Sequence, residues 1–254
     1  MSDILRLSRD GRVAHVALNR PDKRNALSAA LCHELVKTLE EADHDPGAGA
    51  ILLTANGKAF CAGMDLDEIG IAGSEAINQA HEQLFTIGAR VSTPIVAAVR
   101  GPALGGGMGL AANCHIVVAA EDASFGLTEI RLGLWPFLIF RAVAEAIGER
   151  RSIELALTGR TFGGREAVEL GLAHEVAAEP EARAAEIAFA VAESSPTAVR
   201  SGMTFVQQAR GRDWHSAGQL ALHIRNYVFG SPDFEEGIRA FREKRRPKWP
   251  SLGE

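Results

Sequence analysis

Two glycine-bearing segments of the sequence can present backbone N–H groups to a ligand. The first, AFCAGMDL (59–66), is a turn of small residues after an apolar segment, and we predict that it points the N–H group of Met64 outward. Taken alone, it also fits an ordinary tight turn. The second, GPALGGGMGL (101–110), runs through three glycines into a predicted helix, where Gly106 offers an unpaired donor at the positive end of the helix dipole. Two such donors can bind an anion or a carbonyl oxygen that gains negative charge.

A third segment, FGLTEIRLGLWP (125–136), supplies a carboxylate in apolar surroundings. Burial of Glu129 among such side chains raises the pKa of its carboxyl group, which can then take up and release a proton near neutral pH. The alternative is an ion pair between Glu129 and Arg131 that serves only the structure. Together the three segments predict enolate chemistry, in which the two donors hold a carbonyl oxygen and the carboxylate moves the adjacent proton.

Apolar patterning predicts an α/β fold that positions these segments. The predicted strands are 4–8 and 12–19, joined by a hairpin turn at Asp10-Gly11, and then 50–55, 94–101, 115–120, 123–127 and 172–177. The predicted helices are one that Ser28 caps and that ends near Asp43, and then 74–91, 140–147, 149–158, 163–170, 180–194, 197–210, 213–229 and 233–243. Because helices dominate the second half, we predict one core domain over residues 1–195 and a helical C-terminal region over residues 196–254.

Composition narrows the class of protein. The 254 residues are 46% hydrophobic and 23% charged, with a formal net charge of −5, which is typical of a soluble globular protein and argues against nucleic acid or a membrane as partner. No apolar run approaches the ~20 residues of a membrane span, and the charged N-terminus lacks the core of a signal peptide. The three cysteines contain no CxxC, and the eight histidines are scattered. We therefore expect a cytoplasmic protein without a metal site.

Five motifs in series resemble the crotonase superfamily, that is, the enoyl-CoA hydratases and isomerases. They are NRPDKRNAL (19–27), AFCAGMDL (59–66), TPIVAAVRGPALGGGMGLAANC (93–114), FGLTEIRLGL (125–134) and TGRTFGGREAVELGLAHEV (158–176). The match continues through AFREKRRPKW (240–249), so it covers nearly the whole chain. The resemblance implies a ββα spiral core with a helical C-terminal extension and an acyl-CoA thioester substrate, with no cofactor beyond the coenzyme A of that substrate. It also implies a homotrimer, or a hexamer built as a dimer of trimers.

The resemblance also assigns roles to positions of this sequence. It places the oxyanion hole at the N–H groups of Met64 and Gly106 and the catalytic acid–base at Glu129. The substrate-binding residues expected on this basis are Arg24, Ala62, Met64, Asp65, Leu66, Asp67, Gly106, Gly109, Trp135, Phe241 and Lys244. Phe241 and Lys244 match C-terminal positions that reach the CoA of a neighbouring subunit in the family, whereas Arg24 only loosely matches a basic position near the CoA phosphates.

One departure from the family pattern bears on the reaction. Family hydratases carry two catalytic glutamates, and the position of the first, 20 residues before Glu129, is Gly109 here. Hydration needs a water held between two acid–base groups, whereas moving a double bond needs one base that takes a proton and returns it. The bulky residues at 135–137 and Phe140, where hydratases tend to be glycine-rich, would also exclude water. We therefore predict isomerisation of an enoyl-CoA.

Two alternatives to the isomerase remain open. The first is an enoyl-CoA hydratase that uses a non-standard second group, and the second is a CoA-ester-binding subunit without catalysis. We further expect a side chain at position 109 to point into the reaction cavity, opposite Glu129. Gly109→Glu would then raise hydratase activity, provided that Trp135 and Phe137 leave room for a water.

Overall fold

The computed structural model describes residues 3–68 and 74–253, and its central sheet is mostly parallel. The strands of these ranges are β1 (Leu5–Asp10), β2 (Val13–Leu18), β3 (Ala50–Ala55), β4 (Ile95–Val99), β5 (Pro102–Leu104), β6 (Ile116–Ala120), β7 (Ser124–Gly126), β8 (Thr161–Gly163) and β9 (Glu175–Ala177). The helices are α1 (Ala29–His44), α2 (Ser74–Phe85), α3 (Gly106–Ala112), α4 (Phe137–Ile147), α5 (Glu149–Thr158), α6 (Gly164–Leu170), α7 (Pro180–Ala192), α8 (Pro196–Ala209), α9 (Trp214–Phe229) and α10 (Pro232–Glu243). Short 3₁₀ turns lie at Pro21–Lys23, Leu66–Glu68, Ile87–Ala89, Glu129–Leu132 and Pro250–Leu252.

The larger sheet has the strand order β1-β2-β3-β4-β6-β9. The predicted hairpin is confirmed, because β1 and β2 are antiparallel and Gly11 of the connecting turn has a φ of +52°. From β2 to β9, neighbouring strands are parallel. All of β4 is buried, since one face packs in the main core with α1 and the other against the alanines of α7. The continuous apolar runs of β3 and β4 are the pattern that such double coverage requires.

A smaller sheet of β5, β7 and β8 lies beside the predicted chemistry. β5 is parallel to β7, with Leu104 opposite Gly126, and β7 is antiparallel to β8. Sequence patterning predicts β7, within 123–127, but neither β5 nor β8. Each of these two strands has three residues, which is too short for an alternating pattern to be visible.

Two helix boundaries and one strand differ from the predictions. α2 ends at Phe85 rather than at residue 91, and at the 3₁₀ turn that follows, a Cβ on Gly88 would lie only 2.0 Å from the carbonyl oxygen of Asn113. Gly88 therefore packs closely against Asn113, the C-cap of α3. α4 begins at Phe137 rather than at residue 140, with Pro136 as its N-cap. Of the predicted strand 172–177, only the last three residues form a strand, β9.

The C-terminal helices are attached to the core less closely than the rest of the chain. Neither α8 nor α9 contains a buried residue, whereas α10 buries Asp233 and Glu236. Asp233 accepts the hydroxyl of Ser195 at 2.6 Å, and Glu236 accepts a guanidinium N–H of Arg245 at 2.6 Å. Ser195 is the N-cap of α8, so the predicted division at residue 195 falls at an element boundary, but it stays a prediction. Within the described ranges, none of the helices combines the length and the apolar character that a membrane crossing requires.

Candidate active site

The candidate site lies where three parallel chain segments end side by side. Cys61 forms a parallel bridge with Ala103 of β5, and β5 in turn pairs with β7. The N–H group of Leu104 donates to the carbonyl oxygen of Cys61 at 3.0 Å, and that of Gly105 donates to Gly126 at 2.8 Å. Because the carboxyl ends of parallel strands meet at one edge of a sheet, the residues that follow these segments come together.

The two predicted N–H donors lie at this edge. The N–H groups of Met64 and Gly106 have no acceptor within the described part of the chain, and Gly106 is the first residue of α3, so it lacks an intrahelical partner. Gly63 has a φ of +94°, and a Cβ on it would lie 2.8 Å from the carbonyl oxygen of Leu104 and 3.3 Å from the nitrogen of Gly106. Glycine at position 63 thus permits both the turn and the close approach that bring the two donors together.

Glu129 lies against the start of α3. A Cβ on Gly105 would be 3.0 Å from Oε1 of Glu129, and Gly105 has a φ of +51°. Oε2 of Glu129 is buried and has no hydrogen-bond partner among the described residues. Burial raises the pKa of the Glu129 carboxyl above its ordinary value. Arg131 donates instead to the carbonyl oxygen of Gly159 at 2.7 Å, so the ion pair between Glu129 and Arg131 that the sequence left open is not formed.

The loop at 19–27 holds the Met64 segment in place. Leu27 forms a parallel bridge with Met64, and its N–H group donates to the carbonyl oxygen of Gly63 at 2.7 Å. Asn25, fully buried at a φ of +54°, donates from its side chain to the carbonyl oxygen of Ala59 at 2.9 Å. The position of the Met64 N–H group is therefore fixed by backbone pairing on one side and by a buried amide on the other.

Two acidic residues that the resemblance places in the substrate site have structural partners. Asp65 is buried and accepts a hydrogen bond from Arg20 at 2.9 Å. The exposed Asp67 accepts one from Lys23 at 2.6 Å, and this lysine lowers the pKa of the Asp67 carboxyl. Both carboxylates thus hold the turn after Met64, and the expectation that Asp65 and Asp67 belong to the substrate site stays a prediction.

A cavity of about 460 Å³ opens at the edge where the donors and Glu129 meet. Six of the predicted site residues line it, namely Ala62, Met64, Leu66, Gly106, Glu129 and Trp135. Six others do not, namely Arg24, Asp65, Asp67, Gly109, Phe241 and Lys244. The rest of the wall in the described ranges is mostly apolar and includes Pro136 and Phe137, so the structure brings the bulky 135–137 segment to the cavity as expected.

A side chain at position 109 would be directed at two residues that line the cavity, Ile139 and Phe85, but the space it needs is filled. A Cβ on Gly109 would lie 2.3 Å from Cγ2 and 2.6 Å from Cβ of Ile139, in the first turn of α4. Ile139 is 3% exposed and lines the cavity. It therefore stands between position 109 and the cavity, and neither Trp135 nor Phe137 is the group that closes this position.

The lining residues that sequence reasoning missed include His81, Phe85 and Ile139. His81 is buried, and its Nε2 lies 3.2 Å from the carbonyl oxygen of Leu27. Since a carbonyl only accepts, Nε2 carries the hydrogen, and burial lowers the pKa of His81, which keeps the ring neutral at pH 7. The signal was available, because His81 lies four residues before Phe85, on the face of α2 that Ile77 and Leu84 share.

The remaining predicted residues lie at the surface. Arg24 is exposed beside the cavity wall, where its carbonyl oxygen accepts the N–H group of Ala62 at 3.0 Å. Phe241 on α10 is 85% exposed, and Lys244 is the C-cap of the same helix. The expectation that Phe241 and Lys244 serve a neighbouring subunit is not tested by a single chain and stays a prediction.

Comparison with known proteins agrees with the motif pattern. The family model for enoyl-CoA hydratase/isomerase matches residues 8–251. The chain belongs to this family. A putative enoyl-CoA hydratase of Thermus thermophilus is 39% identical over 249 residues, which cover 94% of this chain and 98% of the relative. A probable enoyl-CoA hydratase of Mycobacterium bovis is 35% identical over 96% of each chain.

The solved structures extend the agreement to the fold. The crystal structure of an enoyl-CoA hydratase from Mycobacterium smegmatis matches with a TM-score of 0.93 at 30% identity, over 98% of this chain and 100% of that one. The predicted fold class is therefore confirmed as the crotonase fold. As a member of the enoyl-CoA hydratase/isomerase family, the protein is a crotonase-type enzyme, and the family acts on acyl-CoA substrates.

Proposed function

We propose that the protein moves a double bond in an enoyl-CoA from the 3 to the 2 position, with Glu129 as the acid–base. The observation that carries this proposal is which side chains lie against the glycines at the start of α3. Glu129 lies against Gly105, whereas Ile139 fills the space beside Gly109, the position to which the resemblance assigns the other glutamate of family hydratases. Among the described lining residues, the site thus offers one carboxylate, Glu129, and an apolar neighbour, which suits proton transfer without water.

The reaction is a proton transfer in two steps. The Glu129 carboxylate removes a proton from C2 of the 3-enoyl thioester, and the electrons of the broken C–H bond form an enolate. The charge that develops on the thioester oxygen is stabilised by the N–H groups of Met64 and Gly106. Glu129 then returns the proton to C4, so that the C3–C4 double bond becomes a C2–C3 double bond. No water is consumed, and the enzyme ends with its carboxylate restored.

The electrostatics of Glu129 suit a group that both takes and returns a proton. Its raised pKa, caused by burial, brings the basicity of the carboxylate closer to neutral pH, where one group can act in both directions. The N–H donors are backbone groups held by strand pairing and need little reorganisation as charge develops.

The proposal needs no cofactor besides the coenzyme A of the substrate. Arg24 lies beside Ala62 and forms no ion pair within the described ranges, so its guanidinium is available to a CoA phosphate. We also propose that the protein is a homotrimer or a dimer of trimers, in which Phe241 and Lys244 reach a neighbouring copy's substrate. The absence of buried residues from α8 and α9, and the 97% exposure of Trp214, support an assembly that covers these helices.

A direct assay tests the proposal. Purified protein is given 3-enoyl-CoA and 2-enoyl-CoA thioesters of several chain lengths, and isomerisation and hydration are measured separately. We expect isomerisation to be the faster reaction for the preferred chain length. Vigorous hydration of crotonyl-CoA without any isomerisation would contradict the proposal. Exchange of the α-protons of a saturated acyl-CoA with deuterated solvent should also be catalysed, which a non-catalytic binding subunit would not do.

The second candidate function is hydration, and two observations favour it. Similar relatives are named enoyl-CoA hydratases, and His81 supplies a neutral imidazole at the wall of the same cavity. With its Nε2 hydrogen donated to Leu27, His81 has Nδ1 as the nitrogen able to accept a proton from water. His81→Gln decides between the candidates, because a hydratase that depends on this imidazole should lose hydration roughly 10²–10⁴-fold.

A further inference from the structure

The glycines of α3 exclude side chains for two different reasons. A Cβ on Gly107 would lie 2.1 Å from the carbonyl oxygen of Cys61, a backbone atom that pairing with Leu104 holds in place. A Cβ on Gly109 would instead meet the side chain of Ile139, at 2.3 Å from Cγ2 and 2.6 Å from Cβ. Position 107 is therefore closed to every side chain, whereas position 109 is closed only while residue 139 carries a Cβ.

Ile139 and Glu129 occupy neighbouring places along α3. Glu129 lies against Gly105 and Ile139 against Gly109, and the N–H group of Gly109 donates to the carbonyl oxygen of Gly105 at 3.0 Å, one helical turn away. Both Ile139 and Glu129 line the cavity. The apolar side chain thus fills the volume from which another acid–base group would reach a water beside Glu129.

We infer that Ile139 is a specificity-determining residue: it excludes the second acid–base group and its water, and so commits the site to isomerisation. This inference rests on the proposed function. The inference rests on both the volume and the polarity of Ile139. Its side chain fills the space beside Gly109, and it has no polar group to bind a water, which occupies a buried site only where polar groups hold it. Trp135 and Phe137 also line the cavity, but the atoms nearest to a Cβ on Gly109 belong to Ile139 and, at an ordinary 3.4 Å, to the ring of Phe85.

The test is the double variant Gly109→Glu/Ile139→Gly, which exchanges the occupant of this volume. Its matched control is Gly109→Glu/Ile139→Ala, because alanine keeps the Cβ that lies 2.6 Å from a Cβ at position 109. The readout is the ratio of 2-enoyl-CoA hydration to 3-enoyl-CoA isomerisation in each variant and in the parent. We expect this ratio to rise at least about tenfold in the glycine variant, because the new glutamate would act as a second acid–base group for hydration. In the alanine control, the ratio should stay at the parental value.

Each outcome has one meaning. A folded glycine variant with an unchanged ratio, beside a parent that isomerises, overturns the role of Ile139 and leaves the proposed function standing. A parent that hydrates without isomerising overturns the proposed function itself. If the glutamate variants do not fold, Gly109→Ala is compared in the Ile139 and Ile139→Gly backgrounds. A smaller loss of Tm in the second background supports the shared volume, and an equal loss in both overturns it.

Discussion

The two sides of the cavity are built in different ways. On one side, the backbone wall (residues 62–64 and 105–106) presents N–H groups that strand pairing and positive-φ glycines hold in place. On the other side, the side-chain wall (Phe85, Trp135, Phe137 and Ile139) presents apolar volume from α2 and the start of α4. Glu129 lies against Gly105 of the backbone wall.

The two walls should therefore control different properties: the backbone wall the rate of the reaction, and the side-chain wall its selectivity. Backbone donors bind any thioester oxygen in the same way, and their contribution grows as charge develops, so changes to the backbone wall should act on turnover. Side chains fill space and exclude water, so changes to the side-chain wall should act on binding and on the choice of reaction. The following predictions test this separation, in order of decreasing effect.

The largest effect is expected from Glu129→Gln. Glutamine keeps the shape of the side chain but cannot take a proton, so turnover should fall about 10²–10⁴-fold while the affinity for the acyl-CoA changes little. Steady-state kinetics of the isomerisation and a direct binding measurement check this. Glu121→Gln is the control, because Glu121 is an exposed carboxylate that pairs with Arg165 at 2.8 Å. Parental turnover in Glu129→Gln would end the acid–base assignment.

Removal of one N–H donor should have the next largest effect. Gly106→Pro deletes the donor at the first position of α3, where proline suits the helix, and should lower turnover about 10²–10³-fold. Gly106→Ala is the matched control, because it keeps the N–H group. Its added Cβ would be in tight contact only with the side chains of Leu27, at 3.0 Å, and Phe85, at 3.1 Å. Equal losses in both variants would mean that crowding, rather than the donor, accounts for the effect.

A change in the side-chain wall should show the opposite kinetic pattern. Trp135 lines the cavity and packs on Phe140 with ring centroids 5.8 Å apart. Trp135→Ala should raise the KM for the acyl-CoA about tenfold, the equivalent of about 1.4 kcal/mol, with a smaller change in kcat. Kinetics on the same substrate as for Gly106→Pro provide the comparison. A fall in kcat with an unchanged KM would contradict the division between the two walls.

The smallest effect concerns stability and pH. Because burial raises the pKa of Glu129 in the folded protein, the folded state binds its proton at pH values where the unfolded chain has released it. This group therefore lowers stability as pH rises from its unfolded pKa through its folded pKa. Glu129→Gln should have a higher Tm than the parent at pH 8, and the difference should shrink toward pH 4. Thermal unfolding at both pH values measures it, and a difference that grows on acidification would show that the carboxyl is not destabilised by burial.

Local patterns were sufficient for much of the fold and of the backbone wall. The Asp10-Gly11 turn, the apolar runs of β3 and β4 and the Ser28 cap of α1 obey short-range rules, and each formed close to the predicted residues. The exceptions depended on distant contacts. β5 and β8 are defined by their pairing with β7, and the turn that follows α2 packs Gly88 against Asn113.

The sequence by itself determined the family, the enolate chemistry that the motifs favour, and Ala62, Met64 and Gly106 of the backbone wall. Glycine at a positive φ, an unpaired N–H group at a helix start and a glutamate among apolar neighbours are visible in the chain, since each depends on residues adjacent in sequence. Only the tertiary structure decided which side chain shares the cavity wall with Glu129 beside Gly109. Three features join segments that no local pattern connects. Ile139 lies against Gly109, His81 lines the cavity, and Arg20 donates a hydrogen bond to Asp65. The angle and distance at which α3 and α4 cross are set by the packing of the whole core, and that crossing decides which side chain fills the volume beside the carboxylate.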